Sequence, residues 1–307
     1  MPSKVSISRS LLTLGLTATL LSGCGTQSVM REDAVKRTAM PVFMLERTIP
    51  GTDFMFAARE RVYKKYQPAT IYIEGDGLAY QDNVSVSDDP TPLDPIALRL
   101  AAQDSGANVI WLARPCQYNS SYKKADTCPS AYWTNKRFSP EVIENYQVAL
   151  DNIKAEYGIP SFDLVGYDGG AAIATILAAQ RHDVTSLRTV AGNLDPKTTA
   201  ELHNLVYSEE SLSPVDFAPG VASLPQRHFL GKLDRTTPPA VYNSFAQSVA
   251  DGHCLNVTMV DNADHALGWV EQWHVLKDMP VDCSAPPEPV MFDPTPLDGD
   301  KYKIKKK

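Results

Sequence analysis

A tight turn between an apolar run and a helical pattern carries the most reactive arrangement in this sequence. The apolar run at residues 162–165 meets the turn Gly-Tyr-Asp-Gly-Gly, and a pattern rich in alanine follows. A strand that enters a helix through such a turn holds one residue in strained dihedral angles and pushes its side chain over the sheet edge. We expect Asp168 to be that residue, at a helix N-terminus that favours negative charge. There it is either a nucleophile, which attacks a carbon bearing a leaving group, or only a helix N-terminal residue.

The elements that must position this turn alternate between strand and helix. Hydrophobic runs predict eight strands, at residues 42–48, 53–59, 69–77, 108–115, 162–165, 186–192, 227–234 and 256–265. The first two form a hairpin, and helical patterns lie at 94–106, 139–157, 170–181, 239–250 and 267–277. This order predicts an α/β fold, with a mainly parallel sheet covered by helices on both faces. The segment 195–224 shows little strand or helix signal, so we expect a small lid or a long loop there.

Three motifs in one chain order make residues 42–280 resemble the α/β-hydrolase family. The family's nucleophile elbow, G-x-S-x-G, is present with Asp168 in place of serine. Asp234 follows an apolar run and a short turn, where the family places the acid that orients the histidine; Asp195 is the second candidate. His265, in "DNADHALGW", stands where the family's general base lies. The resemblance therefore implies an Asp168–His265–Asp234 catalytic set and a small-molecule substrate.

The same resemblance implies an oxyanion hole made of two backbone N–H groups. One comes from the residue after the nucleophile, here Gly169, and the other from the loop "EGDGLAY" at residues 74–80. Asp76 and Gly77 are the candidates for the second donor. The alternative is that Gly75 and Gly77 simply turn the chain.

Three hypotheses for Asp168 follow. In the first, Asp168 is a nucleophile, as in the Asp–His–Asp sets of the family's haloalkane dehalogenases and epoxide hydrolases. This chain departs from that branch, because Gly169 replaces the usual Trp, Glu74-Gly75 replaces His-Gly, and segment 195–224 offers only Tyr207 for epoxide activation.

In the second hypothesis, the chain has lost acyl transfer, because "EGDG", "RPCQY" and "AGNLD" resemble exported esterase-like lipoproteins. Since a carboxylate attacking an ester would give an anhydride, such a protein would have become a ligand-binding or assembly module. Thirdly, Asp168 acts as a general base toward water.

The N-terminus resembles a lipoprotein signal. Lys4 and Arg9 precede an apolar stretch too short to span a bilayer, and it ends in Leu-Ser-Gly-Cys24, which resembles a lipobox. This implies a signal peptide at 1–23, acylated Cys24, and a membrane anchor held by several acyl chains. Because Gly25 rather than Asp follows, we expect the outer membrane, facing the periplasm or exterior. An ordinary signal with a coincidental Cys24 is the alternative. We expect an irregular tether at 24–40, one domain at 41–283 and an unfolded tail at 284–307.

Composition and cysteine count narrow the function further. The chain has 307 residues and a net charge of −7, which argues against a nucleic-acid partner.

Without Cys24 four cysteines remain, and in an exported protein they suggest two disulfides with three open connectivities. Proximity in sequence favours Cys116–Cys128 and Cys254–Cys283. Metal binding is the weaker interpretation because no C-x-x-C pair occurs. No nicotinamide, haem or phosphate-loop motif occurs, so we expect no cofactor.

Overall fold

An eight-stranded sheet organises the chain in the computed structural model, which describes residues 23–82, 85–118, 128–250 and 252–283. Its strands are β1 Leu45–Pro50, β2 Met55–Val62, β3 Ala69–Ile73, β4 Asn108–Leu112, β5 Phe162–Tyr167, β6 Val184–Val190, β7 Gln226–Gly231 and β8 Leu255–Val260. They lie side by side in the order β1-β2-β4-β3-β5-β6-β7-β8. Strand β2 runs antiparallel to both neighbours, and the strands from β4 to β8 are parallel. The predicted α/β fold with a mainly parallel sheet is confirmed.

Helices cover both faces of this sheet. They are α1 Gly23–Ala39, α2 Ile96–Gln103, α3 Pro140–Tyr157, α4 Gly169–Gln180, α5 Pro196–Leu202, α6 Pro214–Phe217, α7 Pro239–Ser248 and α8 Trp273–Leu276. Helices α3, α4 and α7 contribute to one hydrophobic core, and α1, α2 and α8 contribute to a second. Apolar side chains alternate between these cores along the strands; Ile71 enters the first and Tyr72 the second. The parallel strands are therefore buried on both sides, and their carboxyl ends meet at one edge.

Helix α1 corrects the expectation of an irregular tether at residues 24–40. Its C-terminal half is packed on the body, where Val35 and Ala39 are each only 1% exposed. Arg31 Nη1 lies 2.7 Å from Asp89 Oδ2 and ties the helix to the loop before α2. Two apolar contacts and an ion pair thus hold a segment whose composition is mostly polar. The predicted signal peptide, residues 1–22, and the tail, 284–307, lie outside the described residues, and so does the side chain of Cys24.

Two other segments differ from expectation. The predicted helix at 267–277 shrinks to α8, because Gly268 adopts φ +88° and the Asp264 carboxylate accepts the N–H groups of Ala266 and Leu267. Segment 195–224 contains α5, α6 and a 3-10 turn at Ala218–Val221. Within the residues described, no helix is long and apolar enough to cross a bilayer.

Two disulfides brace the loops, as the cysteine count predicts. The pairs are Cys116–Cys128 and Cys254–Cys283, the connectivity that proximity in sequence favours. His253 lies close to the second pair. Since its two sulfur atoms are bonded to each other, that pair offers no thiolate to a metal ion.

Candidate active site

Asp168 sits at the strained turn between β5 and α4. Its φ of 51° and ψ of −120° are unfavourable for a residue with a side chain. The turn is compact because two glycines allow backbone contact: a Cβ on Gly166 would overlap Ala171, and one on Gly170 would overlap the Ile73 carbonyl. The Asp168 N–H donates to Val190 O at 3.0 Å, which fixes the turn to β6. The carboxylate therefore projects from the carboxyl edge of the sheet, as the sequence predicts.

His265 connects Asp168 to Asp234. Its Nε2 lies 3.3 Å from Asp168 Oδ1, and its Nδ1 lies 3.0 Å from Asp234 Oδ2. The side chain of Asp234 is fully buried and also accepts the N–H groups of Thr236 and Thr237 at 2.8 and 3.0 Å. The structure thus brings together the three residues proposed as a catalytic set. Asp195, the second candidate for the acid, instead caps α5 by accepting the N–H groups of Lys197 and Thr198.

The proposed oxyanion donors surround the carboxylate of Asp168. The Asp76 N–H donates to Asp168 Oδ2 at 3.0 Å, and the Gly169 N–H also hydrogen-bonds this carboxylate. Gly77 turns the chain at φ +69°, where a Cβ would overlap Pro90 O, and among the described contacts it makes none with Asp168. Of the two alternatives in the loop, Asp76 is the residue whose N–H points at the site. The carboxylate of Asp168 therefore accepts hydrogen bonds from both of the predicted donors.

The charges in the site are tightly linked. Burial raises the pKa of Asp168, but hydrogen bonding to His265 and the charge of His265 outweigh burial, so the net shift is downward. Burial lowers the pKa of His265, but the two aspartates outweigh burial and raise it above its usual value. The pKa of Asp234 is lowered in the same way as that of Asp168. The two carboxylates thus favour the protonated form of His265, which lies between them.

We call residues 74–80 the oxyanion loop. It is held by side chains that the sequence pattern did not indicate. Asp76 Oδ1 lies 2.5 Å from Arg114 Nη1, and Asp76 Oδ2 lies 3.3 Å from Arg137 Nη1. Gln117 Nε2 donates to Gly75 O at 3.0 Å. A Cβ on Gly169 would overlap the Asp76 carboxylate, so the Asp76–Arg114 pair fills the space beside residue 169. The motif "RPCQY" contains Arg114 and Gln117, but nothing in the sequence indicates that Arg137 reaches the same loop.

Glu74, at the start of the same loop, holds it to the protein interior. Its carboxylate is buried and accepts the N–H of Gly75 at 3.0 Å and the indole N–H of Trp111 at 3.0 Å. It also accepts the N–H of Ala97, in the first turn of α2, at 3.2 Å. Burial raises the pKa of Glu74 to about 7, although these donors favour the charged form. Glu74 therefore joins β3, β4 and α2 beneath the site.

A cavity of about 280 Å³ opens on Asp168 and His265. We call it the Asp168 cavity. Its walls are mainly apolar, from Leu78, Pro92, Leu93 and Ile96, with Asp94 as a further charged group. Asp94 is paired with Arg99 at 2.5 Å. The cavity suits a small, uncharged and largely apolar molecule.

Known structures share this architecture. Est1E from Butyrivibrio proteoclasticus aligns with a TM-score of 0.52 and 11% identity over 74% of this chain and 93% of its own. The esterase Pf2001 of Pyrococcus furiosus gives 0.52 and 10%, over 78% and 89%. The acylaminoacyl peptidase of Pyrococcus horikoshii gives 0.55 and 12%, over 75% of this chain and 39% of its own. No protein-family model and no curated protein sequence matches. The chain has the α/β-hydrolase fold.

Proposed function

We propose that this protein is a hydrolase in which Asp168 Oδ1 attacks a saturated carbon and forms an ester intermediate. One observation supports this most strongly: Asp168 Oδ2 already lies 3.0 Å from the Asp76 N–H, while Oδ1 faces His265 Nε2 at 3.3 Å. In the ester, Oδ2 would become the carbonyl oxygen. Water attacking that ester would develop negative charge on Oδ2, beside donors that are already in place.

The proton balance follows from the resting charges. The Asp168–carbon bond forms as the carbon–leaving-group bond breaks, and the leaving group takes the proton from His265 Nε2. Esterification removes the negative charge of Asp168, which lowers the pKa of His265 toward its usual value. Neutral His265 then removes a proton from water, which attacks the ester and releases the alcohol and the Asp168 carboxylate. Asp234 keeps the ring oriented in both steps.

An oxygen leaving group fits this site better than a halide. The family's halide-binding branch carries Trp after the nucleophile, whereas here the Asp76–Arg114 pair fills that space. A leaving oxygen needs a proton, and His265 holds one. Tyr167 OH donates to the backbone oxygen of His265, so the Tyr167 proton is not available to the leaving oxygen. We therefore propose small apolar epoxides as the substrate class, with the diol as product.

A second candidate is a ligand-binding protein without turnover. It is favoured by the saturation of the resting site, in which His265 contacts both carboxylates and Asp168 Oδ2 occupies the oxyanion hole. An ester substrate would find the hole filled and a charge opposing its oxyanion. Esterase activity is therefore not expected of the natural chain.

We also propose that acylated Cys24 anchors the protein to the outer membrane, facing the periplasm or the exterior. The lipobox-like sequence supports the anchor. Helix α1 begins at Gly23, and its packed residues Arg31, Val35 and Ala39 would keep the body close to the bilayer. Intact-mass analysis of membrane fractions should show the acyl chains, and Cys24→Ala should abolish them and release the protein. Release of the native chain without lipid would contradict the anchor.

The catalytic proposal is tested by assaying small epoxides, haloalkanes and activated esters together. The wild type should form diol, and Asp168→Asn should abolish it. Asp261→Asn is the matched control, because Asp261 is exposed and paired only with Lys232 among the described contacts. If the wild type is inert on every substrate while Asp168→Ser gains esterase activity, the site is a disarmed esterase and the ligand-binding candidate replaces the enzyme.

A further inference from the structure

A second cavity of about 300 Å³ lies beside Arg137, which is paired with Asp76. Its walls come from the loop after β3, the turn before α3, and the loop that follows α5. Arg137 lines it, but Asp168, Asp234 and His265 do not. We call it the Arg137 cavity. Its size is that of a site for a small ligand.

Arg137 brings unbalanced positive charge to this cavity. Its only ion pair among the described residues is with Asp76 Oδ2, at 3.3 Å. That carboxylate is also bound by Arg114, at 2.5 Å. Within the described part of the chain, two guanidinium groups thus share one carboxylate, which leaves Arg137 incompletely neutralised. The Arg137 side chain is 26% exposed and stacks on the ring of Phe138 at 5.0 Å, which fixes it without neutralising it.

Three of the hydroxyl groups that line the cavity, those of Thr199, Tyr207 and Ser211, already donate to other groups of the protein. Tyr207 OH donates to Ser211 O at 3.1 Å, and Ser211 Oγ donates to Asn135 O at 2.8 Å. Thr199 Oγ1 donates to Asn193 Oδ1 at 2.9 Å. These protons are not free for a ligand. The guanidinium of Arg137 is therefore the donor best placed to bind one.

Part of the remaining wall is aliphatic and, among the described residues, exposed to water. Val206 is 97% exposed and Leu205 is 57% exposed, both in the loop after α5. Val86, on the opposite side, is 42% exposed. Water-exposed aliphatic groups beside a cation match a molecule with an anionic end and an aliphatic body. A guanidinium group matches the planar, bidentate geometry of a carboxylate.

We propose that the Arg137 cavity binds a small aliphatic carboxylate, with its carboxylate on Arg137 and its chain against Leu205 and Val206. The bound anion would share Arg137 with Asp76, whose N–H holds Asp168 Oδ2. Occupancy of this cavity is thereby linked to the oxyanion loop. The binding itself does not depend on the chemistry proposed for Asp168.

The test uses the full chain in lipid nanodiscs, with hexanoate as the probe in isothermal titration. Empty nanodiscs correct for partitioning into lipid. We expect saturable binding, weakened about tenfold or more by Arg137→Gln because the charge-assisted contact is lost. Lys136→Gln is the matched control: Lys136 is the neighbouring cation, but it pairs with Glu141 and Glu210 and does not line the cavity. It should leave the affinity unchanged.

Two further comparisons keep the outcome clear if Arg137→Gln proves unstable. Val206→Asp lies on a nearly fully exposed residue, so it should fold normally and still weaken hexanoate by charge repulsion. Hexanamide, with the same chain and no charge, should bind about tenfold more weakly than hexanoate. The proposal is overturned if the wild type shows no saturable binding, if hexanamide binds as well as hexanoate, or if Arg137→Gln folds and retains full affinity. Because the titration measures binding without turnover, its outcome is independent of whether Asp168 is a nucleophile.

Discussion

Two enclosed histidines of this protein have pKa values that are shifted in opposite directions. His228, on β7, is fully buried, with Nδ1 2.8 Å from Thr189 Oγ1 and Nε2 3.0 Å from Gln226 Oε1. Burial and, to a smaller extent, the charge of Arg227 lower its pKa to about 3. His265, with 22% of its side chain exposed, lies between two carboxylates that raise its pKa.

The difference shows that burial does not decide whether a histidine is charged. Neutral partners leave the desolvation of His228 uncompensated, so the ring stays neutral. The carboxylates of Asp168 and Asp234 raise the pKa of His265 by more than burial lowers it. One histidine therefore serves packing and the other can carry a proton. Four variants test this contrast.

The largest effect is expected from Asp234→Asn. It removes one of the two charges that raise the pKa of His265 and loosens the orientation of its ring. Epoxide turnover should fall about 10³- to 10⁴-fold, as for loss of the orienting acid in a triad. The pKa of the ring, followed by NMR, should fall as well. Asp261→Asn should change neither quantity, and an unchanged ring pKa in Asp234→Asn would contradict the assigned electrostatics.

His228 should make the protein less stable in acid. Its folded pKa, about 3, lies below its ordinary value of 6.5, so between these values the unfolded chain binds one more proton than the folded chain. The free energy of unfolding should therefore fall as the pH drops below 6.5, by up to about 1.4 kcal/mol per pH unit. His228→Gln should flatten that slope in denaturant titrations. An equal slope in both proteins would mean that His228 is charged when folded.

His265 should give the opposite slope on the alkaline side. Its folded pKa is raised, so its stabilisation is complete below the ordinary value of 6.5 and is lost as the pH rises toward the folded pKa. The loss is up to about 1.4 kcal/mol per pH unit and smaller in practice, since water reaches part of the ring. In His265→Gln the free energy of unfolding should be flatter from neutral to alkaline pH. Persistence of the slope would place its origin in another group.

The smallest effect is expected from Asp195→Ala. Asp195 lies at the end of a strand, like Asp234, but it caps α5 and accepts a bond from Ser244 Oγ at 2.6 Å. Loss of the cap should cost about 1 kcal/mol of stability. Turnover and the pKa of His265 should be unchanged. A large loss of activity without unfolding would revive Asp195 as the catalytic acid.

The sequence was informative where one local pattern determines the structure. Alternating apolar runs located all eight strands, and the cap at Ser139 with Pro140 located the start of α3. The same signature, Asp195 before Pro196, begins α5, but the residues that follow are weak helix formers and give no helical pattern in the sequence. Helix α1 could not be predicted this way, because few contacts with the body hold its polar sequence.

The sequence predicted which strand ends carry the site residues, but it did not predict the contacts between loops that hold them. Asp168, Asp234 and His265 stand at the ends of strands, so their order indicated that they would meet. The pairing of Asp76 with Arg114 and Arg137 depends on how distant loops fold together, and no spacing in the sequence encodes it. Choosing between Asp76 and Gly77 likewise required the dihedral angles of the loop.

The most direct measurement is a single turnover of an epoxide in water labelled with heavy oxygen, with enzyme in excess over substrate. If Asp168 is the nucleophile, the first diol carries an unlabelled oxygen from Asp168, and the label appears in the Asp168 carboxylate by peptide mass spectrometry. If the first diol carries the label and Asp168 does not, water attacks the substrate directly. That result would contradict the covalent mechanism and leave Asp168 as a general base.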